Sequence, residues 1–298
     1  MAAGGSDGVV RVWKASDGSK STTLAGHRAP VFAVAFDDSG QYLASVGRDR
    51  TLRIWNLRHL PPRNFRSIDL RGAFNSGIAY SGDGMLIAVA DPGLGRVSVL
   101  DAISARTLLT RPGSVSRFTF APGIPLLPIP SDDGTIRLVD VRDNSEFRVL
   151  KGHTGKVKYA VFSPDGTQLL SGGVDGTVLL WDVQKGTYKI LKEFKDEVCA
   201  VSISPKGDLA AFAAFNTLVR FDLKSGEMRE FKPVNIGRLC SLQFSPDGAL
   251  LVLGENDGGI RTWNMISGKE ERPFLGHTAH IWTLAFSPAG PPPGRPGP

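Results

Sequence analysis

One short turn recurs seven times in this chain and limits what it can fold into more than any other feature. Ser163-Pro164-Asp165-Gly166 returns as Ser204-Pro205-Lys206-Gly207, Ser245-Pro246-Asp247-Gly248 and Ser287-Pro288-Ala289-Gly290. Looser copies stand at Ala121-Pro122-Gly123, Ser81-Gly82-Asp83-Gly84 and Asp37-Asp38-Ser39-Gly40. Successive first positions are 44, 40, 42, 41, 41 and 42 residues apart. Pro at the second position presets φ and Gly at the fourth relieves crowding, which suits a type I turn between two strands. A period of this length made of strands and turns marks a radial β repeat.

Each unit reads as four strands, a to d, with a innermost. Before the turn lies an apolar set at fixed offsets: Val157, Ala160 and Phe162; Val198, Val201 and Ile203; Leu239, Leu242 and Phe244; Ile281, Leu284 and Phe286. Offsets of three then two do not keep one face, so strand a should be buried on both faces, between neighbouring sheets. After the turn comes a second apolar run, such as Leu169-Leu170. An Asp-Gly hairpin follows at Asp7-Gly8, Asp133-Gly134, Asp175-Gly176 and Asp257-Gly258. A third run ends at an aromatic residue, as in Val178-Leu179-Leu180-Trp181, and a weaker fourth strand closes the unit.

Gly152-His153, the SPDG turn, Val174-Asp175-Gly176-Thr177 and Trp181-Asp182 together resemble the WD40 repeat. The resemblance runs over roughly residues 3 to 287. It is strong in the units ending at Trp55, Trp181 and Trp263 and weaker where Leu100, Val139 and Phe221 replace the strand-c Trp. Gly-His stands only at His27, His153 and His277. The regular turns and few insertions are also similar to bacterial-type members of the family. The expected fold is all-β: a seven-bladed β-propeller of four-stranded antiparallel blades, built as a single domain over residues 1–287. The blades are expected at about 28–71, 72–110, 111–150, 151–192, 193–232, 233–275, and 276–287 joined to 1–25. The two chain ends look like halves of one blade, and sharing it removes two exposed edges. Residues 1–5 leave little for its strand b, so either the closing blade is thin or the chain is a segment or variant of a longer protein. Residues 288–298 read as a Pro/Gly-rich disordered tail that cannot pair as a strand. Pro125, Pro128 and Pro130 sit where an inner strand belongs in blade three, and each lacks a donor, so a broken ladder is expected there.

With 41% hydrophobic and 21% charged residues, the composition is that of an ordinary soluble globular chain. No apolar run approaches the length of a membrane span and no signal-peptide pattern opens the sequence. The net charge of +6 is mildly basic and favours acidic partners without forming a concentrated basic tract. Cys199 and Cys240 lie five residues before their turn serines on adjacent blades. Packed sheets are about 10 Å apart, beyond the Cα reach of about 7 Å for a disulfide. Free thiols, a reducing compartment and a cytoplasmic location are the expectation.

His153, Ser171 and Asp175 have the residue types of a hydrolase triad. The resemblance implies another role, a buried hydrogen-bond chain with Trp181 in which His bridges the Trp donor and the Asp acceptor. It recurs as His27, Ser45, Asp49 and Trp55. No Gly-x-Ser-x-Gly elbow accompanies either set. Gly152 to Val157 has neither the spacing of a phosphate loop nor a helix after it. His277 and His280 lack a second ligand pair, so no metal and no cofactor are expected. His59 reads as a loop residue beside Pro61 and Pro62, and the proline-rich tail as a solvated end rather than a groove ligand.

Propellers of this kind commonly bind partners on the face around the channel. The family pattern points to residues flanking the first apolar residue of strand a and to the one before the hairpin Asp. Those positions hold Phe32, Phe74, His280 and Trp282 on one half, Lys156, Lys158 and Arg238 on the other, and Arg48 at a hairpin. Aromatics and Arg are the types that carry interface energy. The expected function is a noncatalytic protein-interaction scaffold taking a peptide or loop of a partner, with an acidic segment the best complement. Membrane association and a small-molecule substrate are not expected. The alternative is RNA or other nucleic-acid binding through the same basic and aromatic face.

Overall fold

The computed structural model describes residues 1–287 except 16, 59–64, 71–75, 114–115, 216, 232–240, 272, 275 and 278. The described strands form seven sheets, antiparallel except for one parallel pair. The innermost strand of each touches that of the next, and the last touches the first, so the sheets close into a ring around a central channel. Among the described residues no helix is long and apolar enough to cross a membrane.

The closing blade joins the chain ends as expected. Ile281–Ala285 pairs with Ala2–Gly5, which pairs with Val9–Trp13 and then Lys20–Ala25. The short strand b suffices because Ala2 and Ala3 are completely buried between their neighbours. The blade built from Gln168–Gly173, Thr177–Asp182 and Tyr188–Glu193 behind Val157–Phe162 shows the regular unit. In blade six, Ser241–Phe244, Leu250–Gly254 and Ile260–Asn264 form the sheet, with bridges Ile260 to Phe274 and Trp263 to Glu270 on its outer edge.

The uneven apolar spacing of strand a has a definite cause. Val31 pairs with Gly47 and Ala33 with Val46, so Phe32 is one extra residue on its strand. The same bulge places Lys158 between Val157 and Tyr159, Cys199 between Val198 and Ala200, and Trp282 between Ile281 and Thr283. The inserted residue shifts the alternation, and such bulges re-aim a side chain. Here the re-aimed residues ring the channel mouth. Both-face burial holds for most of the rest of strand a, with Tyr159 half-buried against the channel. Val157, Ala160, Val161 and Phe162 are all buried.

Blade three breaks its ladder, but on one edge only. Ala121 N donates to Leu126 O, and strand N–H groups alternate in direction, so residues 126, 128 and 130 face strand a. Two of these are Pro128 and Pro130, which have no N–H to give. Leu127 and Ile129 face the other way and keep their register with Val139 and Arg137, leaving Leu126–Pro130 fully paired to Thr135–Asp140. Strand a shrinks to Arg117–Phe118 and pairs instead, in parallel, with Tyr159 and Ala160 of the next blade.

Elsewhere, inner strands are tied by hydroxyls. Thr119 Oγ1 accepts from Phe162 N at 2.9 Å, Ser241 Oγ from Leu284 N at 3.0 Å, Thr283 Oγ1 from Val34 N at 3.3 Å, and Ser202 Oγ from Phe244 N at 3.4 Å. Hairpin glycines also lock neighbouring blades. Gly176 has φ +75°, and a Cβ there would lie 2.4 Å from the Phe194 carbonyl of the following blade. Only glycine satisfies both conditions.

Candidate functional site

The two polar tetrads form as chains. In blade four Trp181 Nε1 donates to Ser171 Oγ at 2.8 Å, and Ser171 Oγ lies 2.7 Å from His153 Nε2. His153 Nδ1 sits 3.0 and 3.1 Å from the Asp175 oxygens. The order is Trp, Ser, His, Asp, so serine rather than histidine receives the indole. A neutral His protonated on Nδ1 lets every proton point the same way along the chain. Blade one repeats it: Trp55 Nε1 to Ser45 Oγ 2.8 Å, Ser45 Oγ to His27 Nε2 2.8 Å, and His27 Nδ1 to Asp49 3.0 Å. Asp49 also accepts from Arg28 N, and Asp175 from Thr154 N and Thr177 N, which pins the loop entering strand a.

Burial, above all, holds His27 and His153 below the usual histidine range, against the pull of Asp49 and Asp175. Burial alone would raise the Asp49 and Asp175 carboxyls. Hydrogen bonds from Arg28 N, His27 and Thr51, and from Thr177 N, His153 and Thr154 N, outweigh it and hold both below the usual carboxylate range. Ser171 and Ser45 are 0% exposed, so no substrate carbonyl can reach either hydroxyl. Both sets are buried hydrogen-bond chains inside their blades.

The exposed candidates gather at the channel mouth. His280 stacks on Trp282 at 3.9 Å and 17°, and Phe32 meets Trp282 edge-on at 5.2 Å and 86°. Trp282 Nε1 donates to Ser6 Oγ at 3.0 Å, and Ser6 N to His280 O at 2.9 Å. Trp282 remains 38% exposed. The bulges of strand a deliver Phe32 and Trp282, the loop before strand a delivers His280, and the closing-blade hairpin supplies Ser6.

The basic half is less bare than its residue types suggest. Lys156 pairs with Asp132 at 2.9 Å and Lys158 with Glu197 at 2.8 Å. Arg48 is exposed on its hairpin, its N–H donating to Pro30 O. Phe74 and Arg238 lie outside the described residues, as does Cys240, while Cys199 is a buried free thiol at the mouth. Among the described residues no cluster of three His, Cys, Asp or Glu could hold a metal ion. Below the mouth the channel opens to about 960 Å³, and Arg117 and Tyr159 line it with the aromatic cluster. Arg117 was not singled out by sequence. Its signal was an arginine four residues before the turn, where other blades hold Ala33, Gly77, Tyr159, Ala200, Ser241 and Thr283.

Residues 18–56, 144–182 and 232–264 match the WD40 family, described as "WD domain, G-beta repeat". The chain carries WD40 repeats. The matched stretches end one residue past Trp55, Trp181 and Trp263, the units with the strand-c tryptophan. The WD40 chain is 28% identical over 287 residues to the small ribosomal subunit protein RACK1 of Neurospora crassa, covering 90% of each. It is 28% identical over 265 residues to MST50-interacting protein 11 of Pyricularia oryzae, covering 85% of this chain and 84% of that one. Against apoptotic protease-activating factor 1 of Mus musculus it is 25% identical over 93% of its own length but only 18% of the relative's.

Proposed function

We propose that this WD40 propeller is a noncatalytic, cytoplasmic protein-interaction scaffold whose channel mouth takes a peptide or loop of a partner protein. The observation that carries this reading is the Phe32–Trp282–His280 cluster. Its tryptophan is oriented by Ser6 and still exposed. A rigid aromatic anchor on an open rim, already ordered before binding, is the arrangement that yields interface energy at low entropic cost. The names of two relatives agree with a scaffold. One is a ribosomal subunit protein and another is named for an interaction. Lys156 and Lys158 already have carboxylate neighbours, which weakens the nucleic-acid alternative.

Affinity capture from source-cell lysate at two salt concentrations tests this, comparing the natural chain with Phe32→Ala/Trp282→Ala after both are shown to be folded. Captured proteins are then purified and rebound directly. Partners lost with the variant support the reading. Identical captures remove the mouth from consideration, and recovery dominated by salt-sensitive nucleic acid replaces the reading with the alternative.

A further inference from the structure

Arg117 lies one residue inward, along strand a, from the ring that carries Phe32, Lys158 and Trp282. Its strand has left its own blade because Pro128 and Pro130 offer no donors. The guanidinium reaches across to blade six. Nη1 donates to Ser241 Oγ at 3.3 Å and Leu242 O at 3.0 Å, and Nη2 to Gln243 Oε1 at 2.9 Å. All three acceptors are neutral, and among the described residues no carboxylate pairs with Arg117. Glu197, a carboxylate lining the same channel, is engaged by Lys158. Burial lowers the Arg117 pKa to about 10, which leaves it cationic at neutral pH. Arg117 is half-buried on the channel wall, where a cation without a counter-charge is costly, and a planar guanidinium is shaped to receive a carboxylate on two parallel N–H bonds.

We propose that Arg117 receives an acidic side chain of the partner peptide, inserted through the aromatic mouth into the central channel. This rests on the reading that a peptide docks at Trp282, and it moves the acid's receptor from the outer lysines to the channel wall. The channel volume of about 960 Å³ admits several side chains.

The test uses end-blocked peptides, so that no terminal carboxylate competes. A bead library of acetylated, amidated heptapeptides is selected on the folded chain. The tightest binder is resynthesised with Gln or Asn for each acid. The expected result is an acidic binder whose amide form binds about ten-fold or more weakly to the natural chain, but no more weakly to Arg117→Met. Arg117→Lys, which keeps the cation and guards against loss of fold, should retain part of the preference. Trp282→Ala should weaken both peptides. Binders without an acid, or an amide penalty unchanged in Arg117→Met, overturn the Arg117 proposal while leaving the mouth reading intact. Coupling to Arg117 that survives alongside indifference to Trp282→Ala overturns the mouth reading instead. No binder at all overturns both.

Discussion

In blade five the ring of Phe194 meets that of Phe212 edge-on, 6.1 Å apart at 77°, at the two positions where blade four holds His153 and Ser171. Phe221 stands there in place of Trp181. Three of the four members of the polar chain have been exchanged for apolar rings. Replacing both partners of a buried hydrogen bond by apolar groups is nearly neutral, whereas removing one leaves the other unpaired. Blades one, four and five each follow one of the two consistent solutions.

Blade seven falls between them. Ala3 stands where Ser45 and Ser171 stand, and His277 Nε2 is buried without a hydrogen-bond partner. Arg11 Nη1 lies 2.7 Å from the other ring nitrogen, which also faces Asp7 at 3.3 Å. Ala3→Ser should complete the chain between Trp13 and His277 and stabilise the fold by about 1 kcal/mol. Chemical denaturation measures it; a midpoint that stays or falls would show that the site has no room for the hydroxyl.

In blade four the reverse change should be costly. Ser171→Ala leaves the Trp181 indole and His153 Nε2 unpaired, at about 1–3 kcal/mol for each group. Asp175→Ala strips the acceptor from His153, Thr154 N and Thr177 N, and should cost at least as much. Both melts should shift down by several degrees. An unchanged melting temperature for either variant would contradict the network role.

Acid should loosen the ring in two stages. His27 and His153 are held below their unfolded pKa of about 6.5, so the unfolded chain binds more protons below that value. Their contribution is complete above about pH 6.5 and is lost as the pH falls through the folded pKa values. Asp49 and Asp175, also depressed, lose theirs only as the pH falls below about 4. Urea melts at intervals between pH 7.5 and 5 should show a declining midpoint below about pH 6.5. A flat profile there would mean the histidines are charged in the fold.

Thr119→Val should weaken the seam between blades three and four. Its methyl replaces the hydroxyl that accepts from Phe162 N, at a cost of about 1–3 kcal/mol with little change in volume. Hydrogen exchange at Phe162 should accelerate. Protection equal to that of the natural chain would place the seam's strength elsewhere.

Much of this was legible in order along the chain. The turn at Ser163 and the Asp-Gly hairpins are local chemistry, and their recurrence implied blades and ring closure, while the family resemblance implied the tetrads at His27 and His153. The lost ladder of blade three was also legible, because a proline lacks its donor wherever it sits. Which edge would lose its bonds depended on the register of Pro128 and Pro130 against Ala121. That Phe32, His280 and Trp282 form one cluster depended on bulges and on the two chain ends meeting. Arg117 was the least legible. Its strand had to detach before the side chain could cross the channel to residues more than a hundred positions later.

Local turn geometry and periodicity act through neighbouring residues, so the sequence by itself determined the repeat and its count. The tertiary structure alone decided which charges were already paired, which aromatics stacked, and which arginine was left half-buried among neutral acceptors. Those depend on distances between blades, and no spacing along a single chain encodes them directly.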